Sequence, residues 1–194
     1  KGMLYRGFTT VRDAGGADYG MAAAVEEGYV VGPRILFCGK ALSQTGGHGD
    51  MRGPGDNADQ CLCCPGLGRI CDGVTEVRRA VRDEIRKGAT QIKLMVSGGI
   101  SSPTDRISST QFSMEEIRAA VEDATAASIY CMGHAYTHRA ISRALEGGVR
   151  SIEHGNLLNE ETVELFLQKD AFLVPTLVVL FTMAKEGVKL GLPP

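Results

Sequence analysis

The chain has 194 residues, of which 43% are apolar and 23% charged, and 21 Lys and Arg against 23 Asp and Glu leave a formal charge of −2. So many apolar residues exclude a disordered chain, and the near-neutral balance argues against a nucleic-acid binder, which shows a basic face. No apolar run reaches the ~18–20 residues of a membrane helix, since the longest, Ala171 to Ala184, is shorter and contains Pro175.

Lys1 to Thr10 reads as structure rather than as a secretory leader, and Lys1 is no natural start, so the chain is read as a fragment or a trimmed product. Gly7 to Asp13 is β-branched and ends in the turn signal Asp-Ala-Gly-Gly, which predicts a strand. Asp18 to Glu27 predicts a helix closed by Gly28, and Arg34 to Leu42 a second strand followed by a long polar loop, Ser43 to Asp72. Val74, Val77, Val81 and Ile85 recur at helical spacing before Gly88. Thr90 to Val96 is a third strand, ending in Ser97-Gly98-Gly99. Ser113 and Glu116 form a capping box, in which each side chain satisfies an orphan amide, and Met114, Ile117, Val121 and Ala124 line the helix behind it. Ile129 to Ala135 is a fourth strand; Thr137 caps a helix that ends at Gly147-Gly148. Val149 to His154 is a fifth strand, Asn159 caps a helix with Val163, Phe166 and Leu167 inward, and Ala171 to Val179 is a sixth strand broken near Pro175.

Six strand–helix units with apolar strands mean a sheet covered on both faces, hence a parallel α/β sheet. No dinucleotide fingerprint follows the first strand, which disfavours the open nucleotide-binding sheet. A full (β/α)8 barrel takes about 250 residues, so six units predict part of a TIM-type barrel. Residues 1–194 are read as one such incomplete domain. Of six cysteines, Cys38 and Cys131 sit in apolar runs and predict buried thiols. Cys61, Cys63, Cys64 and Cys71 fit the paired hooks of a zinc site badly, which favours a loop of reduced thiols over a structural zinc. Thiol usage suggests a cytoplasmic setting.

The chemistry candidates lie at the carboxyl ends of strands, where a barrel gathers its active site. Lys93, His134 and His154 each belong to a separate unit, and side-chain alternation lets one residue per strand point into the mouth. A lysine flanked by Ile92 and Leu94 is costly to keep charged. Its alternatives are an ion-paired rim lysine, a Schiff-base lysine, or a neutral amine that captures carbon dioxide as a carbamate and bridges metals. Alone, His134 and His154 each read as satisfied core histidines; at the ends of successive strands they predict a metal site. His138 reads as a surface residue. Tyr136, two residues past His134, is a candidate oxyanion donor, with a packed rim tyrosine as the alternative. His48, in Gly46-Gly47-His48-Gly49-Asp50, is a candidate for binding a substrate carbonyl or carboxylate, or else a solvated turn residue. Ser97-Gly98-Gly99 is a weak candidate anion cradle.

The segments GFTTVRDAGG, ALSQTGGHGD, ATQIKLMVSGGISSPTD, GHAYTH, SIEHGN and LVPTL, in that order, resemble the metal-dependent amidohydrolase superfamily. The nearest branch is that of Xaa-Pro and Xaa-Arg/Lys dipeptidases with imidazolonepropionase-like domains. The resemblance implies a barrel with two divalent metals, commonly zinc, a carboxylated bridging Lys93, and His134 and His154 as ligands of the second metal. It implies hydrolysis of an amide or peptide bond by a metal-bridging hydroxide, on a dipeptide or N-acyl amino acid, possibly with C-terminal Pro, Arg or Lys. The His-x-His of the family's first strand does not occur in this sequence, and no Asp follows the LVPTL strand. The chain therefore corresponds to barrel strands two to seven, with three of six ligands. Asp13 matches the second strand rather than the last and is not promoted. A Schiff-base aldolase using Lys93 and a catalytically incomplete fragment are the competing expectations. No nucleic acid or membrane partner is expected, and self-association is left open.

Overall fold

Short β-branched runs form the strands of this protein, and capped segments between them form the helices. The computed structural model describes residues 1–59, 61 and 66–190. In chain order the elements are α1 (Gly2–Tyr5), β1 (Thr10–Arg12), α2 (Tyr19–Glu26), β2 (Arg34–Leu36), β3 (Ala41–Ser43), β4 (Gly68–Ile70), α3 (Gly73–Arg86) and β5 (Ile92–Met95). There follow α4 (Met114–Ala126), β6 (Cys131–Thr137), α5 (His138–Glu146), β7 (Ser151–Leu157), α6 (Glu160–Gln168), β8 (Phe172–Val174) and α7 (Leu177–Glu186).

The caps act where the sequence places them. Ser113 and Glu116 close the capping box of α4, Thr137 accepts from the Ala140 N–H at the start of α5, and Asn159 accepts from the Thr162 N–H at the start of α6. All paired strands run parallel. β1 pairs with β2, and the other six lie in the order β4-β3-β5-β6-β7-β8. The two sheets meet at residues 36–37: Asp13 N–H donates to the Leu36 carbonyl (2.8 Å) and Thr90 N–H to the Phe37 carbonyl (2.9 Å). The buried Gln91 amide crosses the same seam, donating to the Asp13 and Leu36 carbonyls at 3.1 and 3.0 Å.

Leu42, Ile92, Leu94 and Ile152 of the strands are fully buried against Val77 and Val81 of α3, Ile117 and Ala120 of α4, and Ile141 and Leu145 of α5. Each such Leu or Ile contributes about 1.5–3 kcal/mol. Cys38 and Cys131 are buried, as expected. Among the described residues no helix is long and apolar enough to cross a membrane.

The wall is α/β and parallel, as expected, and within this chain it stays open, with β8 ending it and Phe172, Leu173 and Val174 exposed. Four other expectations need correction. The single strand expected over 34–42 is two, β2 and β3, because Gly39 turns the chain with φ 70°. The expected loop 43–72 contains β4. The strand expected over 171–179 stops at Val174; Pro175 offers no N–H to a ladder, Thr176 is left-handed at φ 45°, and the apolar run beyond is α7. In α6 only Phe166 of the expected apolar trio is buried, beside Thr162 one turn earlier, while Val163 and Leu167 occupy the next stripe round and are exposed. Val74 of α3 is likewise exposed. Cys71 is buried and Cys61 exposed, whereas Cys63 and Cys64 lie outside the described residues.

Candidate active site

Lys93 stands in the middle of β5 with β3 on one side and β6 on the other, and it is buried. Burial pushes its amine down to about 8, against the opposing pull of Glu153 and, more weakly, Asp13. An amine so lowered gives up its proton more readily than an exposed lysine does and reaches its neutral, nucleophilic form more easily. Glu153 is itself held by Arg12 (2.8 Å) and by the Ser151 hydroxyl (2.7 Å), so its carboxylate is already committed.

His134 lies on β6 opposite Met95, and His154 on β7 opposite Ala135. Their rings meet edge to face with centroids 4.7 Å apart. Burial lowers the pKa of both, that of His154 to about 4, with Lys93 adding to the effect on each. Both imidazoles are therefore neutral at pH 7, the state in which nitrogen ligates a metal. The His134 Nε2 is 3.2 Å from the Gly98 carbonyl. A carbonyl only accepts, so Nε2 carries the proton and Nδ1 keeps its lone pair. His154 Nδ1 is 2.7 Å from the Thr176 hydroxyl, which leaves Nε2 for another partner. Strict alternation would turn His154 away from Ser151 and Glu153, yet its ring lies against His134 and Tyr136. The left-handed backbone at His154 (φ 75°) and Gly155 (φ 64°), next to a register shift between β6 and β7, turns the ring back. Such backbone strain concentrates at functional sites.

Tyr136 is buried and touches both histidines, edge-on to His134 at 5.0 Å and stacked on His154 at 5.0 Å. Burial raises its pKa, so the phenol stays a proton donor. His48 arrives from the loop after β3 and stacks on His134 with centroids 4.2 Å apart and planes 20° from parallel. Its pKa is lowered by burial, with Asp105 opposing.

The glycines after Lys93 serve packing rather than an anion cradle: a Cβ on Gly99 would overlap the His48 ring, and one on Gly98 the Arg106 carbonyl. Thus His134, His154, Tyr136 and His48 gather at one end of the sheet, Lys93 lies further back along the strands opposite Met132, and His138 is on the surface as expected. Sequence reasoning missed Arg12 and Glu153 around Lys93, Thr176 behind His154, and Ser102, Asp105 and Gln111 around His48. Only Glu153 carried a signal, as a charge inside an otherwise apolar strand.

Among the described residues no three His, Cys, Asp or Glu side chains group closely enough to hold a metal by themselves. The donor set here is two neutral imidazoles, each with one nitrogen tied by the protein, and a buried amine of lowered basicity. That combination fits a divalent metal ion, since metal-ligating histidines characteristically have the second nitrogen hydrogen-bonded.

Residues 1–191 match the model of the Amidohydrolase family. The ochratoxinase of Aspergillus niger is 38% identical over 189 residues, covering 89% of this chain and 38% of that protein. The crystal structure of a prolidase complexed with N-methylphosphonate-L-proline superposes with a TM-score of 0.95 at 58% identity, covering 99% of this chain and 48% of that one. A Xaa-Pro dipeptidase with methionine bound in its active site gives a TM-score of 0.83 at 33% identity, covering 96% of this chain and 47% of that one. The chain spans less than half the length of each of these relatives.

Proposed function

The chain belongs to the amidohydrolase family, and from that premise we propose that it supplies the ligand-bearing wall of an enzyme hydrolysing amide or peptide bonds. The observation that carries this reading is the cluster of the His48, His134, His154 and Tyr136 rings, with the buried Lys93 amine near enough to lower the basicity of all three histidines. It corresponds to strands two to seven of a TIM-type barrel.

Lys93, His134 and His154 are the residues that would hold divalent metal, zinc by the chemistry of the donors. Bound metal supplies Lewis acidity to the amide carbonyl and to water. The Lys93 amine adds to carbon dioxide through its nitrogen lone pair and releases one proton, leaving a carbamate on a long arm; its lowered basicity makes the neutral amine available for this. His134 and His154 present one unprotonated nitrogen each. Tyr136 donates its phenolic proton in a hydrogen bond to the substrate oxygen as charge develops there. His48 addresses a polar group of the substrate from the opposite face of His134. The buried sheet behind them excludes water, which strengthens each of these contacts.

The prolidase and Xaa-Pro dipeptidase relatives support a dipeptide or N-acyl amino acid with C-terminal proline as substrate, and ochratoxinase supports an amide more broadly. Family membership favours the hydrolase reading over the Schiff-base alternative for Lys93.

The deciding experiment splices residues 1–194 into the corresponding segment of the 58%-identical prolidase and supplies zinc. Hydrolysis of Xaa-Pro dipeptides within about tenfold of the parent enzyme is expected. A folded chimera that binds zinc and hydrolyses neither dipeptides nor N-acyl amino acids would overturn the reading.

A further inference from the structure

Three polar side chains from the segment after β5 close on His48. The Ser102 hydroxyl oxygen lies 3.0 Å from His48 Nδ1 and donates its own proton to Asp105 Oδ1. Gln111 reaches the other end of the same residue: its Oε1 accepts from the His48 backbone N–H at 3.0 Å, while its Nε2 donates to Asp105 Oδ2 at 2.8 Å. The Gly99 N–H donates to Asp105 Oδ1 at 3.2 Å. Both arms start at one carboxylate and end on one histidine. The Asp105 side chain is 3% exposed, and Gln111 is buried.

The direction of these bonds is forced. A carboxylate only accepts, so the Ser102 proton is committed to Asp105 and the Ser102 oxygen must accept from the imidazole. The proton of His48 then resides on Nδ1, and Nε2 is the nitrogen left for chemistry. A loop anchored for packing alone needs no hydroxyl between a buried carboxylate and a ring nitrogen.

We propose that Asp105 is the positioning residue for His48, fixing the ring's Nδ1–H form through Ser102 and its backbone through Gln111, so that Nε2 is the atom turned to the substrate. In that form the Nε2 lone pair accepts from a substrate N–H. What Nε2 meets rests on the amide-hydrolase reading, but the fixed ring does not.

The test is nitrogen NMR of the histidine-labelled chain, whose four histidines give four ring systems. At pH 8 the His48 ring is expected as the Nδ1–H form. Ser102→Ala and Asp105→Asn shift it to a mixture or to Nε2–H, and Ser102→Thr restores it. An Nε2–H ring in the unsubstituted chain, or one unmoved by Ser102→Ala, overturns the proposal; if Asp105→Asn does not fold, the two Ser102 variants decide. In the prolidase chimera Ser102→Ala is expected to raise KM about tenfold with kcat within about threefold, and to add nothing on top of His48→Ala. Additive losses would overturn the proposal. An inactive chimera counts against the hydrolase reading alone, since the ring spectrum still decides this one.

Discussion

The imidazoles of His48 and His134 lie face to face, 4.2 Å between centroids, although one comes from the loop after β3 and the other from the centre of β6. Gly99 sits against the edge of that stack and has no room for a side chain. Gly99→Ala is therefore expected to displace His48 and cost about 1–3 kcal/mol, the usual penalty of overpacking. Adding His48→Ala should return most of the loss. Thermal denaturation of the two single variants and the double variant checks this; independent, additive effects would contradict it.

Thr176 stands behind His154 with its hydroxyl 2.7 Å from Nδ1. Removing such a support typically weakens metal binding about 10–100-fold. Thr176→Val should show that drop in zinc affinity by competition with a chelator, with little change in melting temperature of the metal-free protein.

Lys93 is buried, and burial disfavours its charged form. Glu153 keeps Arg12 as a partner without it. Lys93→Met should leave the metal-free protein within about 1 kcal/mol of the original, because an apolar side chain of similar length replaces a costly amine. Zinc binding should be lost. Urea unfolding with metal analysis on the same samples tests both halves.

Asp50 anchors the His48 loop, pairing with Arg52 at 2.7 Å and accepting from the Gly46 N–H at 2.9 Å. The hydrogen bond from Arg52, and then that from Gly46 after the opposing effect of burial, holds its carboxyl at about 2, below the usual 3.8. A carboxyl with a depressed folded pKa contributes stability that is complete above its unfolded value and lost as pH falls through the folded one. The Asp50 contribution should thus be constant above pH 5 and disappear between about 4 and 2. Asp50→Asn should lower stability at pH 7 and flatten the acid limb in that window, measured as melting temperature against pH.

Much of this was legible in the sequence because it rests on local rules. Ser113, Thr137 and Asn159 announce helix starts by chemistry that acts within three residues. Lys93, His134 and His154 announce a site because polar groups inside apolar strands demand partners. What escaped depends on contacts distant in sequence. The Ser102–Asp105–Gln111 grip on His48 spans 54 to 63 residues, and nothing in a Ser-Ser-Pro-Thr-Asp turn reveals its target. β4 is three residues of Gly-Arg-Ile, paired to β3 and too short to show alternation. The run after Pro175 is apolar in every register, so periodicity could not separate strand from helix; the left-handed turn at Thr176 did.

The backbone at His154 is held at φ 75°, a conformation in which any side chain with a Cβ is crowded and glycine is at ease. His154→Gly should therefore unfold at a higher temperature than His154→Ala, and without metal it should match the parent in thermal denaturation. If so, selection for ruggedness and selection for chemistry pull this position in opposite directions, and engineers seeking a hardier scaffold would erase this imidazole first.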